Sequence, residues 1–265
     1  MLDSFKKIPS KKAEYAANGL LSKHLITDPA DIDLEGILAL EGGYLFYKPL
    51  TGAQGRIVLK NDSAIITVNS NVQESSRRRY ILSHEIGHYS MHRNLPQRTY
   101  NCYEKDMVDW SRKQAVETEA NEFAASLLMP SNCFKAITKG QGLSYGIMQE
   151  LQDTFGTSFT STAIRYTQIG DVPSAIISMS NGFVEFAKFS SDFPGQFIPN
   201  RTRIPNNTVA FDVLNGDTPS KKPTSVNLRD WFQSGLEDNY YDGRVNELCI
   251  CSQRYNLILS LLWTL

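Results

Sequence analysis

Two histidines four residues apart, His84 and His88, stand in the sequence His-Glu-Ile-Gly-His, with Glu85 beside the first. On an α-helix, residues at that spacing are separated by about 40° and one turn, so both imidazoles can reach a single ion. Tyr80, Ile81, Gly87 and Met91 share a side with the histidines, which predicts a helix over 74–92 with the pair on a buried stripe. Ser75 or Ser76 is placed to cap it. Glu85 is turned away from the ion far enough to hold a water and take its proton. The five-residue pattern also arises by chance in unrelated chains, so a third ligand is what gives it specificity.

Two carboxylates compete for that position, both in the run Glu117-Thr118-Glu119-Ala120-Asn121. Ala120, Phe123, Ala124, Leu127 and Leu128 recur at helical spacing until Pro130 ends the element. Glu117 shares the inward side with Ala120, Asn121 and Ala124, whereas Glu119 lines up with Glu122 and Ser126 on a more polar side. Glu117 is therefore the better placed ligand, and Glu119 reads as a surface carboxylate. Asn121, one turn beyond Glu117, can accept the free N–H of a ligand histidine and fix its tautomer. Carbonyl hydrolysis at such a site also needs a donor for the oxyanion, and Tyr100, Tyr103 and His92 are candidates by position. As a ligand His92 lies about 12 Å along the helix axis from His84, so it reads as a near-surface histidine.

The 265 residues exceed the usual single-domain size, which predicts a larger unit carrying this motif and a smaller second one. A net charge of −1 offers no general attraction for nucleic acid or an acidic membrane. Arg77-Arg78-Arg79 reads as a solvated helix face. Four scattered cysteines make no disulfide framework and read as reduced, buried thiols. The lysine-bearing start (Lys6, Lys7, Lys11, Lys12) has no apolar run behind it, and the tract Leu257 to Leu265 is too short to span a bilayer, so a cytoplasmic location is expected.

Short helices are expected around Ala13 to Leu21 and Asp31 to Leu40, followed by three strands near 44–50, 55–60 and 64–69. Residues 96–110 read as a loop near the site that can contact substrate. Residues 143–166 hold two helices joined at Gly156, the later one capped by Thr160 or Thr162. This pair resembles a helix-turn-helix, but its net negative charge suits packing better than DNA reading. From residue 171 the pattern becomes mainly β, with strands at 175–180, 183–189, 209–214, 247–251 and 257–263, Asn-Gly turns at 181–182 and 215–216, and a loop over 216–225.

His84-Glu-Ile-Gly-His88 followed by Glu117-Thr-Glu-Ala-Asn-Glu-Phe-Ala-Ala-Ser-Leu-Leu-Met-Pro130 resembles the ImmA/IrrE-type metallopeptidases, as do Val68-Asn69-Ser70 and the arginine-rich helix start. The likeness is clear over residues 30–170 and weaker beyond. It implies an α+β chain: a zincin-like metallopeptidase domain over 1–138, a helix-turn-helix-like segment over 139–170, and a mainly β, GAF-like sensor domain over 171–265. The resemblance further implies a Zn²⁺ peptidase with His84, His88 and Glu117 as ligands and Glu85 as base, while Asn121 stands where relatives have Asn or Asp. His and Glu ligands also accept Mn²⁺ or Fe²⁺. The expected partner is a protein substrate such as a helix-turn-helix repressor of stress, mobile-element or toxin–antitoxin genes, without direct nucleic-acid or membrane binding. The competing expectation is a non-catalytic, metal-stabilised sensor or interaction module, in which Glu85 would have no task.

Overall fold

A computed structural model describes residues 11–60, 62–103, 115–232, 243–253 and 256–264. The chain divides into two compact units: the first takes the described residues up to Cys133 together with Asp153–Ser158, and the second takes Phe134–Gln152 and the described residues from Phe159 onward.

In the first unit, β1 (Gly43–Lys48), β2 (Gly55–Lys60), β3 (Ser63–Asn69) and β4 (Thr99–Cys102) form a mixed sheet in the order β1-β3-β2-β4. β1 runs parallel to β3, and the other pairs are antiparallel. Strict alternation along β2 sends Ile57 and Leu59 inward with Ile66 and Val68 of β3, and leaves Arg56, Val58 and Lys60 outside. Helix α1 (Lys11–Lys23) precedes the sheet, as does α2 (Leu34–Leu40), capped by Asp33. Helix α3 (Ser75–His92) lies against β2 and β3, α4 (Ala115–Leu128) packs on α3, and α1 packs on α4.

Asn69 anchors the turn that follows β3. Its buried amide donates to Leu50 O and Ala53 O while its oxygen accepts from Asn71 N, which ties the end of β3 to the 50–53 turn. Neither Ser75 nor Ser76 caps α3: the N-cap position is Glu74, with no side-chain cap hydrogen bond. Arg78 and Arg79 are half-buried rather than a solvated face, and donate to Val72 O and Ile32 O. The loop expected over 96–110 contains β4, whose pairing with β2 is non-local and leaves no periodic signal in four residues. Residues 104–110 of that loop lie outside the described residues, as do Lys6 and Lys7.

Helices α5 (Ser131–Thr138), α6 (Tyr145–Phe155) and α7 (Phe159–Ile169) follow. Gly156, at φ +61°, ends α6 in the left-handed region. Thr160 and Thr162 fall inside α7 rather than capping it, and Thr162 is fully buried.

The second unit carries an antiparallel sheet in the order β6-β5-β9-β8-β7, from β5 (Ser174–Ser180), β6 (Phe183–Phe189), β7 (Thr224–Asn227), β8 (Arg244–Ser252) and β9 (Leu257–Thr264). Asn181 and Gly182, at φ 52° and 81°, make the expected hairpin turn. Two expectations fail here. Val209–Leu214 is a helix, α8, not a strand, and part of the 216–225 loop belongs to β7. The β-favouring valines of α8 are overridden at its start, where Thr208 Oγ1 accepts from Phe211 N and the buried Glu247 carboxylate accepts from Val209 N and Ala210 N. A one-turn helix, α9 (Leu228–Trp231), joins β7 towards the rest. None of the four cysteines is in a disulfide, but only Cys102 and Cys249 are buried; Cys133 is half-buried and Cys251 exposed. Among the described residues no helix is long and apolar enough to cross a membrane.

Candidate metal centre

Helix α3 carries His84, Glu85 and His88, each 0–1% exposed. The two imidazoles converge, with Nε2 of His88 3.1 Å from Nε2 of His84. Glu117, in the first turn of α4, brings Oε2 to 3.3 Å from His84 Nε2 and Oε1 to 3.5 Å from His88 Nε2. Helix α4 gets this close because Gly87 has no side chain. A Cβ there would stand 3.0 Å from Phe123 Cδ1 and 3.3 Å from the Ala120 backbone.

Behind His84, Asn121 Oδ1 lies 2.9 Å from Nδ1 and also accepts from Tyr80 OH at 2.8 Å. Behind His88 the arrangement differs from the sequence reading. His92 is 1% exposed, not near-surface, because α4 covers the end of α3. Its Nδ1 is 3.0 Å from His88 Nδ1, and its Nε2 is 3.0 Å from Glu119 Oε2. Glu119 is likewise no free surface carboxylate, since it bridges His92 and Lys12. With both ring nitrogens engaged, His92 has no donor left for an oxyanion. Tyr103 is 40% exposed, whereas Tyr100 of β4 is buried and stacks on His88 with centroids 4.2 Å apart. The Tyr100 hydroxyl has no hydrogen-bond partner among the described residues.

Electrostatics suit a cation. Burial pushes the His88 pKa down to about 4, so the ring is neutral at ordinary pH and one of its two nitrogens carries a lone pair. Burial also acts to raise the Glu117 carboxyl, but the contacts with His84 and His88 outweigh it and hold the group well below the usual carboxylate range. Glu85 is held well above that range by burial and by the neighbouring Glu117 charge. Neither Glu85 oxygen has a hydrogen-bond partner among the described residues. Sequence reasoning missed why Glu85 fits: Gly55 of β2 faces it, and a Cβ there would lie 2.6 Å from Glu85 Oε1. Two imidazoles and a carboxylate whose ligand atoms lie within 4.8 Å of one another, beside an unpartnered buried carboxyl, form a donor set that fits a divalent ion.

A family model described as IrrE N-terminal-like domain, Peptidase_M78, matches residues 41–167. Those residues are an IrrE N-terminal-like domain. The M78 match spans the strands β1–β4 and the helices α3 and α4, and so takes in the whole His84, His88 and Glu117 cluster. Beyond the M78 region the likeness is one of fold. A solved structure described as a Mycobacterium tuberculosis transcriptional regulator superposes with a TM-score of 0.62 at 13% identity, covering 96% of this chain and 77% of that one. None of the curated proteins compared with the chain matches it.

Proposed function

We propose that the protein is a metal-dependent endopeptidase that cuts a specific protein, in the manner of a protease acting on a helix-turn-helix repressor. The observation that carries this reading is Glu85, a buried carboxyl whose oxygens have no hydrogen-bond partner among the described residues, set beside the convergent His84, His88 and Glu117. A site that served only to hold the fold would have no use for it. His84, His88 and Glu117 would hold the ion, Zn²⁺ being the best match to the donors with Mn²⁺ or Fe²⁺ as alternatives. When bound, such an ion supplies a Lewis acid that acidifies a water and polarises a carbonyl. Glu85 accepts the proton of the attacking water and returns it to the leaving amine. Asn121 holds His84 in the tautomer whose Nε2 faces the cluster. Tyr100, the one of the three positional candidates that is buried with a hydroxyl unpartnered among the described residues, donates to the oxyanion.

The likeness to a transcriptional regulator supports a place in gene control, consistent with a repressor as substrate. Residues 171–265, with their first and last strands adjacent at the centre of an antiparallel sheet, support the reading of a GAF-like sensor appended to a zincin-like domain and a helix-turn-helix-like segment. The experiment is co-expression of the wild type and of Glu85→Gln with candidate helix-turn-helix repressors from the same genome, followed by immunoblotting of each repressor. Cleavage by the wild type alone is the expected result. Equal cleavage by a folded, metal-loaded Glu85→Gln sinks the peptidase mechanism, and no cleavage by either favours a non-catalytic sensor module.

A further inference from the structure

The two ligand histidines are supported differently from behind. His84 Nδ1 meets one amide oxygen, that of Asn121, whereas His88 Nδ1 meets a second imidazole, which in turn meets a carboxylate. We propose that His92 and Glu119 are positioning residues that fix the tautomer of His88, Glu119 acting on the ligand through His92. This rests on reading His84, His88 and Glu117 as a metal site.

The argument follows the protons. An ionised carboxylate only accepts, so across the 3.0 Å contact with Glu119 Oε2 the proton of a neutral His92 ring sits on Nε2. Nδ1 of His92 is then a lone pair. It lies 3.0 Å from Nδ1 of His88, and two ring nitrogens that close need either a proton or a cation between them; the Nε2 pair of His84 and His88, 3.1 Å apart, is the pair that the metal reading fills with an ion, which leaves the Nδ1 pair to share a proton. His88 supplies it. Nε2 of His88 is therefore the lone-pair nitrogen, and it is the atom that lies among His84 Nε2 and Glu117. The opposite tautomer would aim an N–H into the ligand cluster and set two lone pairs face to face behind it. The Tyr100 ring, stacked within 17° of the His88 plane, and the tilted His92 ring at 5.1 Å leave His88 little room to turn out of this arrangement. Lys12 also touches Glu119, but its side chain is 64% exposed, so that pair contributes little.

The test uses the full chain loaded with zinc. Affinity is read by competition with a chromophoric chelator, and ring-nitrogen NMR of histidine-labelled protein reads the tautomers. Wild type is expected to carry the His88 proton on Nδ1 and the His92 proton on Nε2. His92→Leu removes the acceptor and weakens zinc binding about 10- to 100-fold, the usual cost of losing such a partner. His92→Asn restores most of the affinity, because its amide oxygen stands close to where Nδ1 stood. Glu119→Ala weakens binding in the same direction by less, and Lys12→Ala leaves it unchanged. If His92→Leu does not fold, Glu119→Ala decides. Wild-type affinity in His92→Leu or Glu119→Ala, no recovery in His92→Asn, or a His92 proton on Nδ1 overturns the proposal. Zinc binding that is absent in the wild type, or indifferent to His84→Ala, instead overturns the metal site on which it rests.

Discussion

Glu85 and Glu247 are both fully buried carboxyl groups, one in each unit, and they are treated in opposite ways. Glu247 of β8 accepts from Val209 N, Ala210 N, Trp231 Nε1, Ser260 Oγ and Cys249 Sγ, so both of its oxygens are saturated. Glu85 accepts from none of the described residues. A buried carboxylate that serves architecture is surrounded by donors, because desolvation is otherwise uncompensated. Glu85 has no such donor among the described residues, which is what the peptidase reading asks of a carboxyl kept for a water. The two groups differ in how far their burial is compensated, fully at Glu247 and by no described donor at Glu85.

Exchanging each carboxyl for a near-isostere or an alanine tests this contrast. Glu85→Gln should lower cleavage by about 10²- to 10⁴-fold while the thermal midpoint stays level or rises, since a buried acid without partners is replaced by a neutral amide. A marked drop in the midpoint would mean that Glu85 is architectural after all. Glu247→Ala should act in reverse, lowering unfolding free energy in urea by roughly 3–5 kcal/mol, because several buried donors lose their acceptor together. Cleavage measured at a temperature where the variant remains folded should change far less.

Gly55→Ala should bring a methyl into Glu85 Oε1 and Ile81 Cγ2, each 2.6 Å from the added atom. The expected cost is about 1–3 kcal/mol of stability, with reduced cleavage and retained zinc binding, read by calorimetry and chelator competition. Thr208→Ala should cost the least, below the usual ~1 kcal/mol for a lost cap, because Glu247 still accepts from the first two N–H groups of α8. A loss well above that value would show that Glu247 does not by itself hold the helix start.

Legibility from sequence followed the range of the interactions. The convergence of His84, His88 and Glu117 could be read because the place of each rests on spacing within its own helix, and the helical period fixes which residues share a side. His92 and Glu119 could not. The burial of His92 and its contact with Glu119 depend on how α4 and α1 lie over the end of α3, which no period within a single helix records. Gly87 was visible as part of the inward stripe, but its reason, the approach of Phe123 and Ala120, belongs to a second helix. Val209–Leu214 misled because its valines and phenylalanine favour a strand, while the decisive group, Glu247, lies 38 residues away from Val209 in the chain. Hairpin chemistry at Asn181-Gly182 is wholly local, and there the expectation and the fold coincide.

The close approach of α3 and α4 at Gly87 has a thermodynamic side. His84 and His88 on one helix and Glu117 on another come together only when those helices are docked, so an ion held by all three would act as a rivet between two struts. Its occupancy would then be linked to the folding of the first unit, and removing it would loosen the framework as well as empty the site.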